Sequence, residues 1–286
     1  MTHPDSDPTS WEPACPYRLD MAWATGPDTQ DLTSADIATA EEMTNTPLGR
    51  SLPGITRELD RYERWALRHA GSKYDQVLHI GHGWMTPDYG PQQLWQQLRE
   101  RRPDLTLVTI ATDHGVGETT RSHSGDTTTA LRCVGLLDTL LDRPMLTEYV
   151  DLRRPLGVVL PAVHRQSPLG YRELINALVR RCAPGSMIAY TSLAHTPPPR
   201  TPHTTPHHTD AARVLTSALR HRTDGRFGEL ADPRESSRAV APFEAVVPYP
   251  LTHTTRRRRS RPVGLHALAV AFQVTRRTAQ HTGTTR

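Results

Sequence analysis

The chain has 286 residues, of which 36% are hydrophobic and 25 are prolines, so we expect one α/β core interrupted by long irregular segments. The net charge of +4 comes almost wholly from arginine, because Lys73 is the only lysine. Cys15, Cys133 and Cys182 have no paired spacing, which suggests neither a disulfide framework nor a cysteine zinc site. No apolar run approaches membrane-spanning length and the amino terminus lacks a signal-like core, so we expect a cytoplasmic protein without membrane or metal contacts.

The first quarter of the chain is polar at its start and helical afterwards. We expect residues 1–16 to be disordered and residues 17–72 to form an N-terminal helical region. Ser34 is suited to cap a helix over residues 34–43. Apolar side chains recur at helical spacing over residues 56–70, which predicts a longer helix there.

Strand and helix patterns alternate over residues 73–275, and the tail over residues 276–286 is predicted to be disordered. The predicted strands cover residues 76–80, 105–111, 129–133, 156–161, 187–192, 243–249 and 265–274. The predicted helices cover residues 92–101, 136–141, 170–182 and 210–221. This alternation predicts a Rossmann-like, doubly wound and mostly parallel seven-stranded sheet, completed by an antiparallel pair of C-terminal strands.

The turn after the first predicted strand contains two glycines one residue apart, Gly81 and Gly83. Such a turn lets the backbone approach a nucleotide-like ligand, although glycine pairs also occur in ordinary turns. A dinucleotide fingerprint would place a third glycine where Thr86 stands, which argues against NAD or FAD. Ligands of doubly wound sheets bind beyond the carboxyl ends of the strands. The predicted cleft is therefore formed by residues 81–86, 112–114, 131–133 and 162–165.

Two segments have biased compositions. Residues 193–209 are rich in proline, threonine and histidine, and His203, His207 and His208 raise the question of a metal site. We favour a linker, because flexible loops hold metals poorly and no carboxylates accompany the histidines. The loop over residues 252–262 contains the arginines between Arg256 and Arg261. We favour a solvated loop over nucleic-acid contact, because no aromatic platform or recognition helix accompanies the arginines.

Several motifs stand in the same order as in a known protein family. They are Asp60-Arg61, His79-Ile80-Gly81-His82-Gly83, residues 151–160, Cys182-Ala183-Pro184-Gly185-Ser186 and Thr191-Ser192. On these motifs, over roughly residues 17–275, the chain resembles the actinobacterial S-adenosylmethionine-dependent methyltransferases of the DUF574 group, which have the class I methyltransferase fold. The Arg154-Pro155 strand block and the Ala183 to Ser186 turn are the most specific parts of this resemblance.

The resemblance implies S-adenosylmethionine as cofactor and a small molecule as methyl acceptor. The residues that it places at the cofactor are Arg61, His79, Gly81, His82, Gly83, Thr112, Asp113, Leu131, Arg132, Ala162 and Val163. No catalytic residue is predicted, since methyl transfer depends mainly on positioning donor and acceptor, and a base is needed only where the acceptor must lose a proton. The acceptor is expected to enter under a lid built from residues 17–50 and 193–225.

The chain departs from the family pattern at the predicted cofactor site. His79 stands where the family has an aspartate at the end of the first strand, and Ala111 replaces an acidic residue at the end of the second. Asp113 matches a second aspartate there and could contact the ribose or cap a helix. A neutral histidine does not replace a carboxylate facing a cationic cofactor. These departures motivate an alternative hypothesis, a catalytically inactive relative that acts as a binding or interaction protein.

Overall fold

A computed structural model describes residues 13–28, 32–81, 91–111, 128–132, 144–161, 171–196, 207–225, 227–228, 230–231, 244–245 and 264–275. The helices are α1 (Pro16–Thr25), α2 (Ser34–Thr44), α3 (Leu52–Lys73), α4 (Pro91–Arg101), α5 (Pro144–Thr147), α6 (Tyr171–Arg181) and α7 (His207–Arg222). The strands are β1 (Gln76–Ile80), β2 (Thr106–Ala111), β3 (Thr128–Arg132), β4 (Gly157–Leu160), β5 (Met187–Thr196), β6 (Glu244–Ala245) and β7 (Gly264–Gln273).

One sheet organises these elements, in the order β3-β2-β1-β4-β5-β7-β6. The first five strands in this order are parallel, and β7 runs antiparallel to β5 along its whole length. The prediction of an α/β fold with a mostly parallel sheet and antiparallel C-terminal strands is confirmed. The seven-strand count stays a prediction, because the described part of β6 is only two residues. Strands β2 and β3 are added on one side of β1, and β4 and β5 are added on the other side. The strand order therefore reverses between β1 and β4.

Most predicted elements match the structure to within a few residues, and the differences have physical reasons. Helix α1 lies in the predicted helical region over residues 17–72, but no separate helix was predicted there, because its residues are buried on nearly every side and leave no polar stripe to reveal a helical period. Strand β5 continues to Thr196, into the predicted linker, because each added residue pairs with β7. Helix α7 begins within the same predicted linker, at His207. The helix predicted at residues 136–141 lies outside the described residues.

The sheet is covered on both faces, as its strand sequences require. On one face Leu78, Ile80 and Val108 belong to a core shared with α6, and on the other Val77 and Leu107 pack with α3 and α4. This alternation along β1 and β2 reflects the two-residue period of a strand. Both faces are apolar because parallel strands are buried between layers of helices.

A third apolar cluster joins the N-terminal helices to the carboxyl side of the sheet. Leu19 and Trp23 of α1 pack with Leu52 at the start of α3, and Leu193 of β5 and Leu219 of α7 complete the cluster. The N-terminal helices are thus part of the same folded body as the sheet. Their position leaves them above the strand ends where a doubly wound fold binds its ligands.

The Ala-Pro-Gly-Ser turn performs a structural task at the opposite edge of the sheet. Gly185 has a φ of +91°, in the left-handed region that favours glycine, and its N–H donates to the Val274 carbonyl at 2.7 Å. Its own carbonyl accepts hydrogen bonds from the Tyr74 hydroxyl and the Gln273 side-chain amide, both at 3.1 Å. The turn therefore ties β5, β7 and the end of α3 together, away from the predicted cleft.

Asp36 joins α1 to α2. Its carboxylate is fully buried and accepts hydrogen bonds from the Cys15 N–H at 2.8 Å, the Thr33 N–H at 2.9 Å and the Arg18 guanidinium. Thr33 returns a capping contact, because its hydroxyl oxygen accepts the Asp36 N–H at 3.2 Å. The cap of α2 is thus Thr33 and not Ser34, the residue predicted from the sequence.

Replacing Asp36 with alanine should lower the free energy of unfolding by about 2–3 kcal/mol, since it removes a helix cap and leaves the buried Cys15 N–H without its acceptor. Urea unfolding monitored by circular dichroism measures the change. Ser34→Ala is the matched control and should change stability by less than about 0.5 kcal/mol. Equal losses for the two variants would contradict the assignment of the cap.

Candidate functional site

The carboxyl ends of four neighbouring strands form one edge. In the strand register Ile110 of β2 lies beside Ile80 of β1 and beside Leu131 of β3. Gly81 is buried directly after β1, and its N–H donates to the Ile110 carbonyl at 2.9 Å. The predicted positions Gly81, Leu131 and Arg132 therefore lie at the same edge of the sheet, on either side of the end of β2, and their contact with a cofactor stays a prediction.

The other residues of the predicted cofactor site divide into two groups. His82, Gly83, Thr112, Asp113, Ala162 and Val163 lie outside the described residues, and their roles stay predictions. Each of these residues nevertheless closely follows a described strand. Strand β2 ends immediately before Thr112, and one residue separates the end of β1 from His82 and the end of β4 from Ala162. Arg61 lies exposed on α3 and is compatible with either a ligand contact or an ordinary surface position.

His79, the residue in place of the family's aspartate, contacts a carboxylate supplied by a helix. The His79 side chain is 0% exposed, and its Nε2–H donates to Oε1 of Glu63 on α3 at 2.9 Å. Glu63 is itself only 5% exposed at its side chain. Burying a carboxyl group without a hydrogen bond costs a large desolvation free energy. His79 provides the hydrogen-bonding partner for Glu63. An acidic group is therefore present behind the end of β1, although the strand does not carry it.

Glu63 was not identified from the sequence. The available signal was its position on the apolar side of α3, one turn from Leu59 and close to Ala66 and Leu67. An acidic side chain on such a face is buried when the helix packs, and it then needs a buried hydrogen-bonding partner. The sequence alone gives no means of choosing His79, 16 residues away, among the possible partners.

Helix α3 runs opposite to the parallel strands, and two glycines let it approach closely. Gly157 at the start of β4 lies so near Ala70 that a Cβ atom there would come within 2.5 Å of the Ala70 Cβ. Gly71 similarly faces Leu98 of α4, where an added Cβ would be 2.9 Å from a leucine methyl. Ala70 thus marks the amino edge of the sheet, Glu63 lies near the carboxyl edge, and the first turns of α3 extend beyond that edge.

Asp60 is a second buried acid of α3, one turn before Arg64. Its carboxylate accepts a hydrogen bond from Arg64 Nε at 3.0 Å. Burial raises the pKa of the Asp60 carboxyl above its ordinary value, the neighbouring Glu63 charge adds to the increase, and Arg64 and Arg61 oppose it. The folded state therefore binds the Asp60 proton more tightly than the unfolded chain does.

This shift fixes the sign of a pH effect. An acid whose pKa is raised by folding contributes stability at low pH, which is lost as the pH rises from about 4 through the folded pKa. The Asp60→Asn variant lacks this titration. Its free energy of unfolding, measured relative to that of the natural protein, should therefore increase as the pH rises over that interval. Urea unfolding at several pH values measures the difference. A difference that stays constant with pH would contradict the assignment.

A cavity of about 530 Å³ opens between α1, α2 and the first turn of α3. Its lining includes Trp23, Gly26, Ile37, Ala40 and Pro53, with Glu41 and Arg57 as its charged members. Within the described ranges, no group of three or more His, Cys, Asp or Glu side chains is placed to hold a metal ion. No helix in the described part of the chain is long and apolar enough to span a membrane.

The same architecture occurs in solved structures. A candidate methyltransferase from Thermobifida fusca aligns with a TM-score of 0.64 and 22% identity, covering 93% of this chain and 97% of its own. A DUF574 family protein from Streptomyces avermitilis aligns with a TM-score of 0.68 and 18% identity, covering 92% of this chain and 98% of its own. No family profile and no curated protein matches the sequence. These likenesses establish a shared fold over nearly the whole chain.

Proposed function

We propose that this protein is an S-adenosylmethionine-dependent methyltransferase that acts on a small molecule. The observation that carries the proposal is the edge where β1, β2, β3 and β4 end together, with Gly81 opening the turn after β1 and the Glu63–His79 pair directly behind it. The fold shared with a candidate methyltransferase and a DUF574 family protein supports the same conclusion.

The residues at this edge suit the proposed cofactor in two respects. The cofactor carries a sulfonium and an ammonium, so a carboxylate near its site is favourable, and Glu63 supplies one that the strand lacks. The buried Gly81 keeps the backbone free of a side chain where the turn begins. Arg61, on the exposed side of α3, is the residue that we assign to the cofactor carboxylate.

When bound, S-adenosylmethionine would supply an electrophilic methyl group to the lone pair of the acceptor and leave as S-adenosylhomocysteine. An acceptor that carries a proton at the methylated atom releases it to water. The chain's own contribution is to hold both molecules in line and to exclude competing water, since positioning supplies much of the rate in such displacements. The N-terminal helices above the strand ends are placed to do this.

Isothermal titration with S-adenosylmethionine and S-adenosylhomocysteine tests the proposal. We expect dissociation constants in the micromolar range, and about tenfold weaker binding for Arg61→Gln, because one hydrogen bond between charged groups is lost. Arg68→Gln, also exposed on α3, is the matched control and should bind as the natural protein does. Absence of binding up to millimolar concentrations would overturn the proposal and favour the inactive binding protein.

A further inference from the structure

We infer that the cavity between α1, α2 and the first turn of α3, called here the helical pocket, binds a largely apolar small molecule with a single negative charge. Its use as the acceptor site rests on the proposed methyltransferase function. The ligand class follows from the apolar lining of the pocket and from two charged side chains in that lining. The position of the pocket relative to the strand ends supports its use as the acceptor site.

The wall of the helical pocket is more apolar than its composition suggests. The Trp23 indole N–H donates to the Ala40 carbonyl at 3.2 Å, so its polar atom is satisfied within the wall. The hydroxyls of Thr25 and Thr44 donate to the Met21 and Ala40 carbonyls at 2.7 and 2.8 Å. With these donors used by the backbone, the wall away from Asn45, Glu41 and Arg57 offers mainly hydrocarbon and ring surface, which favours an apolar ligand body.

Two charged groups give the helical pocket its selectivity. Arg57 and Glu41 both line it and both are exposed, and neither forms a salt bridge or side-chain hydrogen bond with another described residue. An arginine without a partner favours an anion such as a carboxylate or sulfonate. Glu41 disfavours a second negative charge and favours a hydrogen-bond donor on the ligand. Together they define a monoanion that carries a donor group.

The helical pocket also lies where a second substrate is needed. Glu63 is level with the end of β1, and Arg57 precedes it by six residues on the same helix. At a rise of about 1.5 Å per residue, Arg57 is about 9 Å further along the axis, beyond the carboxyl edge of the sheet. Arg61, assigned to the cofactor, lies between the two positions. A ligand held at Arg57 would therefore lie on the cofactor's side of the sheet, under the N-terminal helices.

Fluorescence titration with 8-anilinonaphthalene-1-sulfonate tests the inference, because this probe is an apolar monoanion with one N–H donor. N-phenyl-1-naphthylamine has the same skeleton without the sulfonate and reports the apolar wall alone. We expect Arg57→Gln to weaken binding of the sulfonate probe about tenfold and to leave the neutral probe within about twofold. Arg68→Gln is the matched control and should change neither probe.

A second variant addresses the volume of the helical pocket. Thr44 is half-buried and its hydroxyl contacts only its own helix, so Thr44→Phe should fill the pocket without removing a contact between elements. We expect both probes to bind at least about tenfold more weakly. Unchanged binding of the sulfonate probe to Arg57→Gln, or of both probes to Thr44→Phe, would overturn the inference. Arg57→Gln alone decides the outcome if Thr44→Phe does not fold.

Titration of the same variants with S-adenosylhomocysteine separates this inference from the proposed function. We expect its affinity to be unaffected by Arg57→Gln and Thr44→Phe, and a parallel loss would overturn the inference by assigning Arg57 to the cofactor site. If the natural protein binds no cofactor but the probes respond as expected, the helical pocket stands as a ligand site and the methyltransferase proposal fails.

Discussion

Replacing Glu63 with leucine should lower the free energy of unfolding by about 3 kcal/mol or more, because it leaves the fully buried His79 imidazole without the acceptor that holds its Nε2–H. Removing one member of a buried polar pair typically costs about 3–5 kcal/mol, since the remaining member keeps its desolvation penalty. Equilibrium unfolding in urea, followed by circular dichroism, measures the loss.

A double-mutant cycle shows whether this loss comes from the pair. His79→Leu should cost less in the Glu63→Leu background than in the natural protein, with a coupling of at least about 1 kcal/mol, because two apolar side chains no longer leave a polar group unpaired. Glu63→Gln retains an acceptor and is the conservative control, with a smaller loss expected. Additive costs for the two leucine substitutions would contradict a direct interaction between Glu63 and His79.

Replacing Gly157 with valine should destabilise the protein by about 3 kcal/mol, the upper part of the range for overpacked cores. Even one methyl at this position would come within 2.5 Å of the Ala70 Cβ and 3.3 Å of the Ala70 Cα, and neither atom belongs to a flexible side chain. Helix α3 would have to move away from β4. Urea unfolding measures the loss of stability, and weaker S-adenosylhomocysteine binding would report the displacement of α3.

The cause can be tested by removing the opposing methyl. Gly157→Ala should be destabilising in the natural protein and substantially less so together with Ala70→Gly, after allowing for the cost of about 1 kcal/mol that glycine adds within a helix. Gly54→Ala on α3, the helix of Ala70, is the control, because an added Cβ at Gly54 meets no atom within 4 Å. It should be neutral or slightly stabilising. A loss for Gly157→Ala that Ala70→Gly does not reduce would contradict the steric explanation.

Local patterns were sufficient to predict much of the sheet. The bounds of β1 agree with the prediction at both ends, because an apolar run ends abruptly at Gly81. The Ala-Pro-Gly-Ser turn was recognisable because Gly185 adopts a conformation that other residues rarely tolerate. The order of strands and helices gave the parallel arrangement, since right-handed crossovers restrict how such units can connect. Within the predicted helical region over residues 17–72, the bounds of α1 could not be predicted, because its residues are buried on nearly all sides and show no amphipathic stripe.

The candidate site was predictable in its backbone and not in its side-chain partners. Gly81, Leu131 and Arg132 were assigned to one edge because parallel strands end on the same side of a sheet, and they follow or lie in β1 and β3, which both pair with β2. Their role at a cofactor stays a prediction. The substitution at His79 suggested a lost carboxylate. In the packed chain the carboxylate of Glu63, on a helix that precedes the strand, contacts His79.

The amino-acid sequence by itself determined where most strands begin and where the backbone turns, because these properties depend on residues close together in the chain. The tertiary structure decided that Glu63 meets His79, that Gly157 brings α3 against β4, and that three N-terminal helices enclose a cavity containing Arg57 and Glu41. These features depend on distances between separate elements, which only the packed chain fixes.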